Sequence, residues 1–136
     1  NKLYKHAENY GDSFLQAYAR EILQYRWHLF FTVYFLALLH RNKFDKILEC
    51  NKKLHLLEKD KSHTLKAKYL PTIPIFLEVA RYKMQMISRK EILNLFATYS
   101  ETFSTEHASR TGFIQLVQSL QEVAPEIINY LPEMKL

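Results

Sequence analysis

The chain has 136 residues, of which 48% are hydrophobic and 24% are charged, and its formal net charge is +5. This length suits one domain with a sizeable core, and this composition excludes intrinsic disorder. Two glycines and four prolines are too few for the many turns of a β-rich fold. We therefore expect a single all-α domain over residues 1–136, with about seven or eight helices.

The cysteine content, the start of the sequence and the length of its most apolar segment predict where the protein is located. The single cysteine, Cys50, cannot form an intrachain disulfide, whereas a secreted scaffold of this size usually contains several cysteines. We therefore expect an intracellular, cytoplasmic protein, and the start at Asn1 without a secretory pattern predicts a fragment of a longer chain. The most apolar segment, residues 27–39, has thirteen residues. A membrane span needs roughly 20, so we expect a buried helix and no membrane span.

The first 40 residues predict a short helix followed by a long helical region. Gly11 is expected to end the first helix, and Ser13 with Gln16 forms a capping box that starts the next one. No helix-breaking residue follows as far as His40. Either one long helix or two helices with a tight turn near residues 25–26 are therefore expected.

Two further helices are predicted after polar segments. Asn42 is the expected N-cap of a helix with Phe44 and Ile47 on its apolar face. After a charged loop, Ser62 is expected to cap a helix that ends near Leu70.

Pro71 and Pro74, in the centre of the sequence, mark the start of another helix. Thr72 is expected to cap this helix, with Pro74 in its first turn and Met86 on its apolar side. Ser88 and Glu91 then form the clearest capping box of the sequence.

The last two helices are predicted from polar and proline residues. Ser104 or Thr105 is expected to open a helix that contains Gly112 and buries Phe113. Pro125 is expected to start a short terminal helix.

A pattern of helix end, polar turn and amphipathic helix occurs three times, as YGDSFLQAY, HRNKFDKIL and ISRKEILNLF. The segment ALLHRNKFDKILECNKKL at residues 37–54 resembles the tetratricopeptide family, with Phe44 where that family often has Tyr. It departs from the family at Ile47, where a small Ala is preferred, and no proline closes the repeat. The resemblance implies antiparallel helical hairpins stacked as an α-solenoid, and a compact helical bundle is the alternative. Similar divergent repeats occur in sensor domains of bacterial peptide-responsive regulators.

The sequence contains no recognisable catalytic or metal-binding motif. No two of the six histidines are three or four residues apart, and two isolated glycines cannot form a phosphate-binding loop. Cys50 would need a base brought near it by the fold to act as a nucleophile, so a buried thiol is the preferred interpretation. We expect no catalytic residue, no metal, no cofactor and no enzymatic activity.

The charge is unevenly distributed along the chain. Residues 41–90 contain 13 Lys or Arg and 5 Asp or Glu residues, whereas residues 91–136 contain 2 and 6. A candidate anion-facing surface could meet nucleic acid, anionic lipid or an acidic protein. The preferred alternative is an ordinary set of solvated lysines, because no arginine cluster accompanies them. The lysines of this candidate surface are Lys52, Lys53, Lys59, Lys61, Lys66 and Lys68.

Two sets of residues with helical spacing are candidates for a partner-binding groove. The first set lies on the most apolar helix and could form a polar floor, with a core helix as the alternative: Tyr25, His28 and Thr32. In the second set an arginine could hold a peptide carboxylate, with an ordinary surface ion pair as the alternative: Glu78, Arg81 and Gln85.

The leading hypothesis is a non-catalytic helical-repeat module that binds a protein segment or peptide. The second is a sensory or dimerisation domain of a transcription regulator, for which a homodimer would be expected. The third is direct binding of nucleic acid through the basic region at residues 41–90.

Overall fold

The computed structural model describes residues 2–24, 27–54, 72–102 and 107–128. These ranges form seven helices and contain no strand, which confirms the predicted all-α fold class. The helices are α1 (Lys2–Gln24), α2 (Trp27–His40), α3 (Phe44–Leu54), α4 (Thr72–Lys83), α5 (Arg89–Thr102), α6 (His107–Ser119) and α7 (Pro125–Ile128).

Helix α1 runs through Gly11, so the prediction that Gly11 ends a first helix is wrong. The only non-helical backbone angles within α1 are those of Tyr18, with φ −132° and ψ 27°. Gly11 is buried against α2, where a Cβ atom at this position would lie 2.7 Å from Tyr34 Cε1 and closer still to Cδ1. Glycine therefore permits close helix packing here and does not terminate the helix. Ser13 consequently lies inside α1, so it is not the N-cap of a second helix.

Helices α1 and α2 form an antiparallel hairpin. The α1 helix ends at Gln24 and α2 begins at Trp27, which confirms the two-helix alternative, although residues 25–26 lie outside the described ranges. Tyr4 stacks on His40 with ring centroids 4.1 Å apart, so the start of α1 lies beside the end of α2.

The turn after α2 corrects the predicted role of Asn42. The Lys43 amide donates to Leu38 O at 2.8 Å, and the Asn42 amide donates to Leu39 O at 3.1 Å. With φ 58°, Asn42 adopts the left-handed conformation, which Asn tolerates better than most residues. These two bonds form a Schellman motif, so Asn42 closes α2 and does not cap α3.

The same motif closes α4. The Met86 amide donates to Arg81 O at 2.9 Å, the Gln85 amide donates to Tyr82 O at 3.0 Å, and Gln85 has φ 62°. Met86 therefore lies beyond the helix and is 58% exposed, so its predicted place on the apolar side of α4 is wrong.

Local sequence signals elsewhere are confirmed. The Glu91 amide donates to Ser88 Oγ at 3.1 Å, and the Ser88 amide donates to Glu91 Oε1 at 3.4 Å, so the predicted capping box is formed. Pro125 is the first residue of α7, as predicted. Helix α4 begins at Thr72 itself, and the predicted capping role of Thr72 stays a prediction. The predicted caps at residues 62 and 104–105 lie outside the described ranges.

A connected apolar core joins α2, α3, α4, α5, α6 and α7. Helix α4 packs against both α2 and α3, and α1 packs against α2. His40 connects the two halves of the chain, since its Nε2 lies 3.1 Å from Ser119 O at the end of α6. Among the residues whose burial is described, the largest fully buried side chains include Phe31, Phe35, Phe76, Phe96 and Phe113.

No helix within the described ranges has both the length and the apolar character needed to cross a membrane. The prediction of no membrane span is confirmed for these ranges.

Candidate functional site

An exposed row of large apolar side chains follows the outer face of α1. We call this row the α1 stripe and define it as Leu3, Tyr10, Phe14 and Tyr18. Their side chains are 73%, 69%, 52% and 52% exposed, respectively. Residues spaced by seven and four positions lie on one face of a helix, so Leu3, Tyr10 and Phe14 share a face. Tyr18 has non-helical backbone angles, and it is its ring contact with Phe14 that joins it to this strip. The rings of Phe14 and Tyr18 lie 5.7 Å apart and tilted by 42°.

The opposite face of α1 is fixed to the protein by a cluster of charged groups, which we call the Glu8 network. It consists of Glu8, Asp12, Tyr34, Arg41 and Lys46. Glu8 is only 4% exposed, and its Oε2 lies 2.6 Å from Lys46 Nζ. Asp12 Oδ2 lies 2.9 Å from the same Nζ, and the Tyr34 hydroxyl donates to Asp12 Oδ1 at 2.5 Å. Side chains from α2, from the turn after it and from α3 thus meet at two carboxylates of α1.

The contact between Glu8 and Arg41 is of a different kind. Arg41 Nη1 lies 3.0 Å from Glu8 Oε1, yet this oxygen accepts no well-aligned hydrogen bond. Among the buried side-chain oxygens and nitrogens of the described residues it alone is unsatisfied. Arg41 therefore neutralises the buried charge by proximity, and Lys46 supplies the directed bond.

The pKa shifts within the Glu8 network favour fixed charges. Burial alone would raise the pKa of Asp12, but the hydrogen bond from Tyr34 and the contact with Lys46 outweigh it and hold that pKa below its usual value. Burial and the Asp12 carboxylate raise the pKa of Tyr34 far above its usual value. Burial would lower the pKa of Lys46, but its two carboxylate partners raise it. These three groups keep their charge states across the neutral range, as suits a structural network and not proton transfer.

A cavity of about 490 Å³ lies between α1 and α3 beside this network. Its wall is mixed in character, with apolar groups from Leu15 and Leu54 and charged groups from Glu49 and Lys53. Cys50 contributes its thiol, and burial raises the pKa of that thiol to about 12. A thiol that stays protonated at neutral pH is a poor nucleophile, so Cys50 has the character of a core residue. The cysteine is buried and free, as the preferred interpretation of the sequence expected.

A second cavity, of about 520 Å³, lies below the turn that follows α4. Gln85, Met86 and Ser88 line it together with Glu126, whose Oε1 lies 3.1 Å from Lys83 Nζ. Burial would raise the pKa of Glu126, but backbone hydrogen bonding and Lys83 hold it below its usual value. This cavity was not predicted, because its walls come from two separate parts of the chain, residues 82–91 and Glu126.

The first predicted groove set is not assembled within the described residues. Tyr25 lies outside them, and His28 belongs to α2 at a position whose side chain is not described. Thr32 is half-buried in α2. The predicted polar floor therefore stays a prediction.

The second predicted groove set does not share one helical face. Glu78 and Arg81 are in α4 and form an ion pair with each other, which is the alternative that the spacing allowed. Gln85 lies past the end of α4 in the Schellman turn, so its predicted position one turn further along the helix is wrong.

The predicted anion-facing surface is described only at its beginning. Lys52 and Lys53 are exposed in the last turn of α3, and Lys53 also lines the α1–α3 cavity. Lys59, Lys61, Lys66 and Lys68 lie outside the described residues.

Over the part of the chain that is described, no group of three or more His, Cys, Asp or Glu side chains is placed to hold a metal ion.

No protein-family model matches the sequence, and no curated protein and no solved structure matches it significantly. The resemblance of residues 37–54 to the tetratricopeptide family therefore stays a prediction. The functional argument depends on the geometry and charge of the chain itself.

Proposed function

We propose that this chain is a non-catalytic helical module that binds a segment of another protein through the α1 stripe. The observation that carries the proposal is the exposure of Leu3, Tyr10, Phe14 and Tyr18 on one face of one helix. Isolated exposed apolar residues are ordinary, but a contiguous row of large ones is typical of an interaction surface. Tyrosine and phenylalanine are also among the residues enriched in protein interfaces.

The anchoring of α1 supports the same proposal. The Glu8 network and the close contact of Gly11 with Tyr34 hold the inner face of α1 against α2 and α3. A surface on a helix that is already fixed loses little conformational freedom when a partner binds. The pKa shifts of Asp12, Tyr34 and Lys46 favour fixed charge states, which suits a structural function of these groups in anchoring α1.

The competing proposals have weaker support from the described residues. Nucleic-acid binding through the basic region would depend on a set of lysines of which only Lys52 and Lys53 are described. A sensory or dimerisation domain would also use an exposed apolar face, so it is separated from the leading proposal by experiment.

Selection of binders from a displayed library of helical peptides tests the proposal. The wild-type protein would be compared with Phe14→Ser, which removes the central ring of the α1 stripe. Met86→Ser is the matched control, because Met86 is similarly exposed but lies after α4. Circular dichroism would establish that both variants keep the helical fold.

We expect selected peptides to lose at least about tenfold in affinity for Phe14→Ser, as truncation of a central aromatic residue typically causes. Met86→Ser should bind them unchanged. If the selected peptides bind both variants as tightly as the wild type, the α1 stripe is not their binding site. Binding of a generic DNA duplex that disappears at high salt would favour the nucleic-acid alternative instead.

A further inference from the structure

We infer that the α1 stripe binds an acidic amphipathic helix of another protein. This inference rests on the proposed function and names the class of partner. It is drawn from the spacing of the stripe and from the charges along its edge.

The spacing of the exposed face of α1 matches the seam of a helix pair. Two alanines extend the α1 stripe, since Ala7 is half-buried and Ala17 is exposed. With Leu3, Tyr10 and Phe14 they give intervals of four, three, four and three residues, which is the heptad pattern of helices that pair side by side. The two alanines leave holes between the large side chains, which can accept the knobs of a second helix. A flat lipid surface would need only apolar width, so the pattern favours a helical partner.

Basic side chains lie beside the stripe, and the permanent positive charges among them are those of Lys2 and Arg20. Lys2, His6 and Arg20 are all exposed. At 3.6 residues per turn Lys2 and His6 lie on the side of the stripe that faces away from α2, together with the neutral Ser13. Arg20 is exposed beyond the non-helical residue Tyr18, toward the other end of α1. This edge would therefore meet the flank of any helix that lies along the stripe.

The acidic groups of residues 2–20 are directed elsewhere. They are Glu8 and Asp12, and both contact Lys46 on the inner side of α1. The outer edge consequently has no carboxylate to neutralise its cations within this range. A partner helix with Asp or Glu beside its apolar residues complements this edge.

The same charges disfavour a second copy of the chain as the occupant. Pairing of two stripes would bring one basic edge near another or leave both without a counter-charge. Like charges at such positions weaken helix pairing, whereas opposite charges select the partner.

Three designed peptides of three heptads each test the inference. They share leucines at the seam positions and differ only at the flanking positions, which are all Glu, all Gln or all Lys. Binding to the whole chain would be measured by fluorescence anisotropy in low and moderate salt, below the concentration at which the peptides self-associate. The protein variants are Lys2→Glu with Arg20→Glu, the control Lys90→Glu on an exposed position of α5, and Phe14→Ser.

We expect the Glu peptide to bind at least about fivefold more tightly than the Lys peptide at low salt, with a smaller ratio as salt rises. The double charge reversal should invert this order, and Lys90→Glu should leave it unchanged. Phe14→Ser should weaken all three peptides.

The remaining outcomes separate this inference from the proposed function. Equal binding of the three peptides with loss in Phe14→Ser would overturn the acidic partner and leave the binding module standing. Failure of all three peptides, alongside library binders that depend on Phe14, would overturn the inference alone, and failure of both experiments would overturn both. A dimer of the chain that Phe14→Ser dissolves would make a second copy the occupant. Phe14-dependent binding to phosphatidylserine vesicles without peptide binding would show that the α1 stripe binds a lipid surface.

Discussion

Gly11 and Tyr34 lie closer together than a side chain at position 11 would permit. A Cβ atom there would lie 3.1 Å from Tyr34 Cγ and 2.7 Å from Cε1. The ring cannot easily move away, because Tyr34 is 3% exposed and its hydroxyl donates to Asp12. The contact sets the distance between α1 and α2, and with it the position of the α1 stripe.

We therefore expect Gly11→Ala to lower the free energy of unfolding by about 1–3 kcal/mol, the usual cost of overpacking. Helix propensity alone predicts that the same substitution raises the free energy of unfolding by about 1 kcal/mol. The sign of the measured change therefore shows which of the two effects dominates. Ser13→Ala, at an exposed position of α1, is the control for propensity and should be neutral or slightly stabilising. Urea denaturation measures both, and a stabilised Gly11→Ala would contradict the close contact.

The Glu8 network predicts an energetic coupling between two helices. Glu8→Ala should lower the free energy of unfolding by about 1–3 kcal/mol, because it removes the directed partner of Lys46. The loss stays below that of a fully buried pair, since Lys46 is 35% exposed and partly regains hydration.

A double-mutant cycle separates this coupling from other effects of the substitutions. Glu8→Ala and Lys46→Met should show a coupling of about 1 kcal/mol or more. The matched pair is Lys83→Met with Glu126→Gln, whose carboxylate is 36% exposed and whose coupling should be about 0–1 kcal/mol. Equal coupling in the two cycles would show that burial of Glu8 adds nothing.

Features that depend on neighbouring residues could be predicted from the sequence. The bonds between Ser88 and Glu91 join residues three positions apart, so the motif itself contains the geometry. Pro125 has no amide hydrogen to lose at a helix start, which places it there for the same local reason. Scarcity of glycine and proline likewise sufficed for the all-α fold class.

Features that depend on distant contacts could not be predicted. Gly11 resembles a helix end in sequence, and only its contact with Tyr34 shows why a glycine stands inside α1. The expected break at Gly11 also divided Leu3 and Tyr10 from Phe14, which concealed the α1 stripe although its spacing is visible in the sequence. Gln85 continued the helical spacing, but the left-handed turn ends α4 before it.

The free energy of unfolding at acidic pH should depend on the charge of Asp12. Its pKa lies below the usual value, because the Tyr34 hydrogen bond and Lys46 outweigh the effect of burial. A lowered pKa contributes stability above the unfolded value of about 3.9, and this contribution is lost as the pH falls through the folded value. The difference in unfolding free energy between wild type and Asp12→Asn should therefore narrow below about pH 4.

Urea titrations at a series of acidic pH values measure this difference. Tyr34→Phe removes the hydroxyl donor and is the companion variant, in which the pKa of Asp12 should move upward toward its usual value. NMR titration of the Asp12 carboxyl carbon gives this pKa directly. A difference that widens on acidification would mean that burial dominates and that the pKa is raised.

Glycine at the turn after α4 should stabilise the chain. Gln85 has φ 62°, and the left-handed conformation costs an ordinary side chain about 1–2 kcal/mol. Part of this gain is lost through the greater freedom of glycine in the unfolded chain, so Gln85→Gly should add about 0.5–1 kcal/mol. Asn42→Gly should add less, since Asn42 has φ 58° but tolerates that conformation better. Thermal unfolding of both variants measures these gains in stability. A larger gain for Asn42→Gly than for Gln85→Gly would contradict this explanation.

The thiol of Cys50 should report on the closure of the α1–α3 cavity. Burial raises the pKa of this thiol to about 12, so almost none of it is thiolate at neutral pH. We expect iodoacetamide at about pH 8 to alkylate the folded chain at least about 100-fold more slowly than the urea-unfolded chain. The native rate should then rise about tenfold per pH unit above that value, for as long as the fold persists.

A Cys50→Ala chain is the reagent control, because the sequence contains no other cysteine. Gly11→Ala provides the informative comparison, since a displaced α1 would admit solvent to the cavity wall. Labelling of Gly11→Ala should be faster than that of the wild type under native conditions, whereas Ser13→Ala should label at the wild-type rate. Equally fast labelling of the wild type and the unfolded chain would place the thiol at the surface and remove Cys50 from the core.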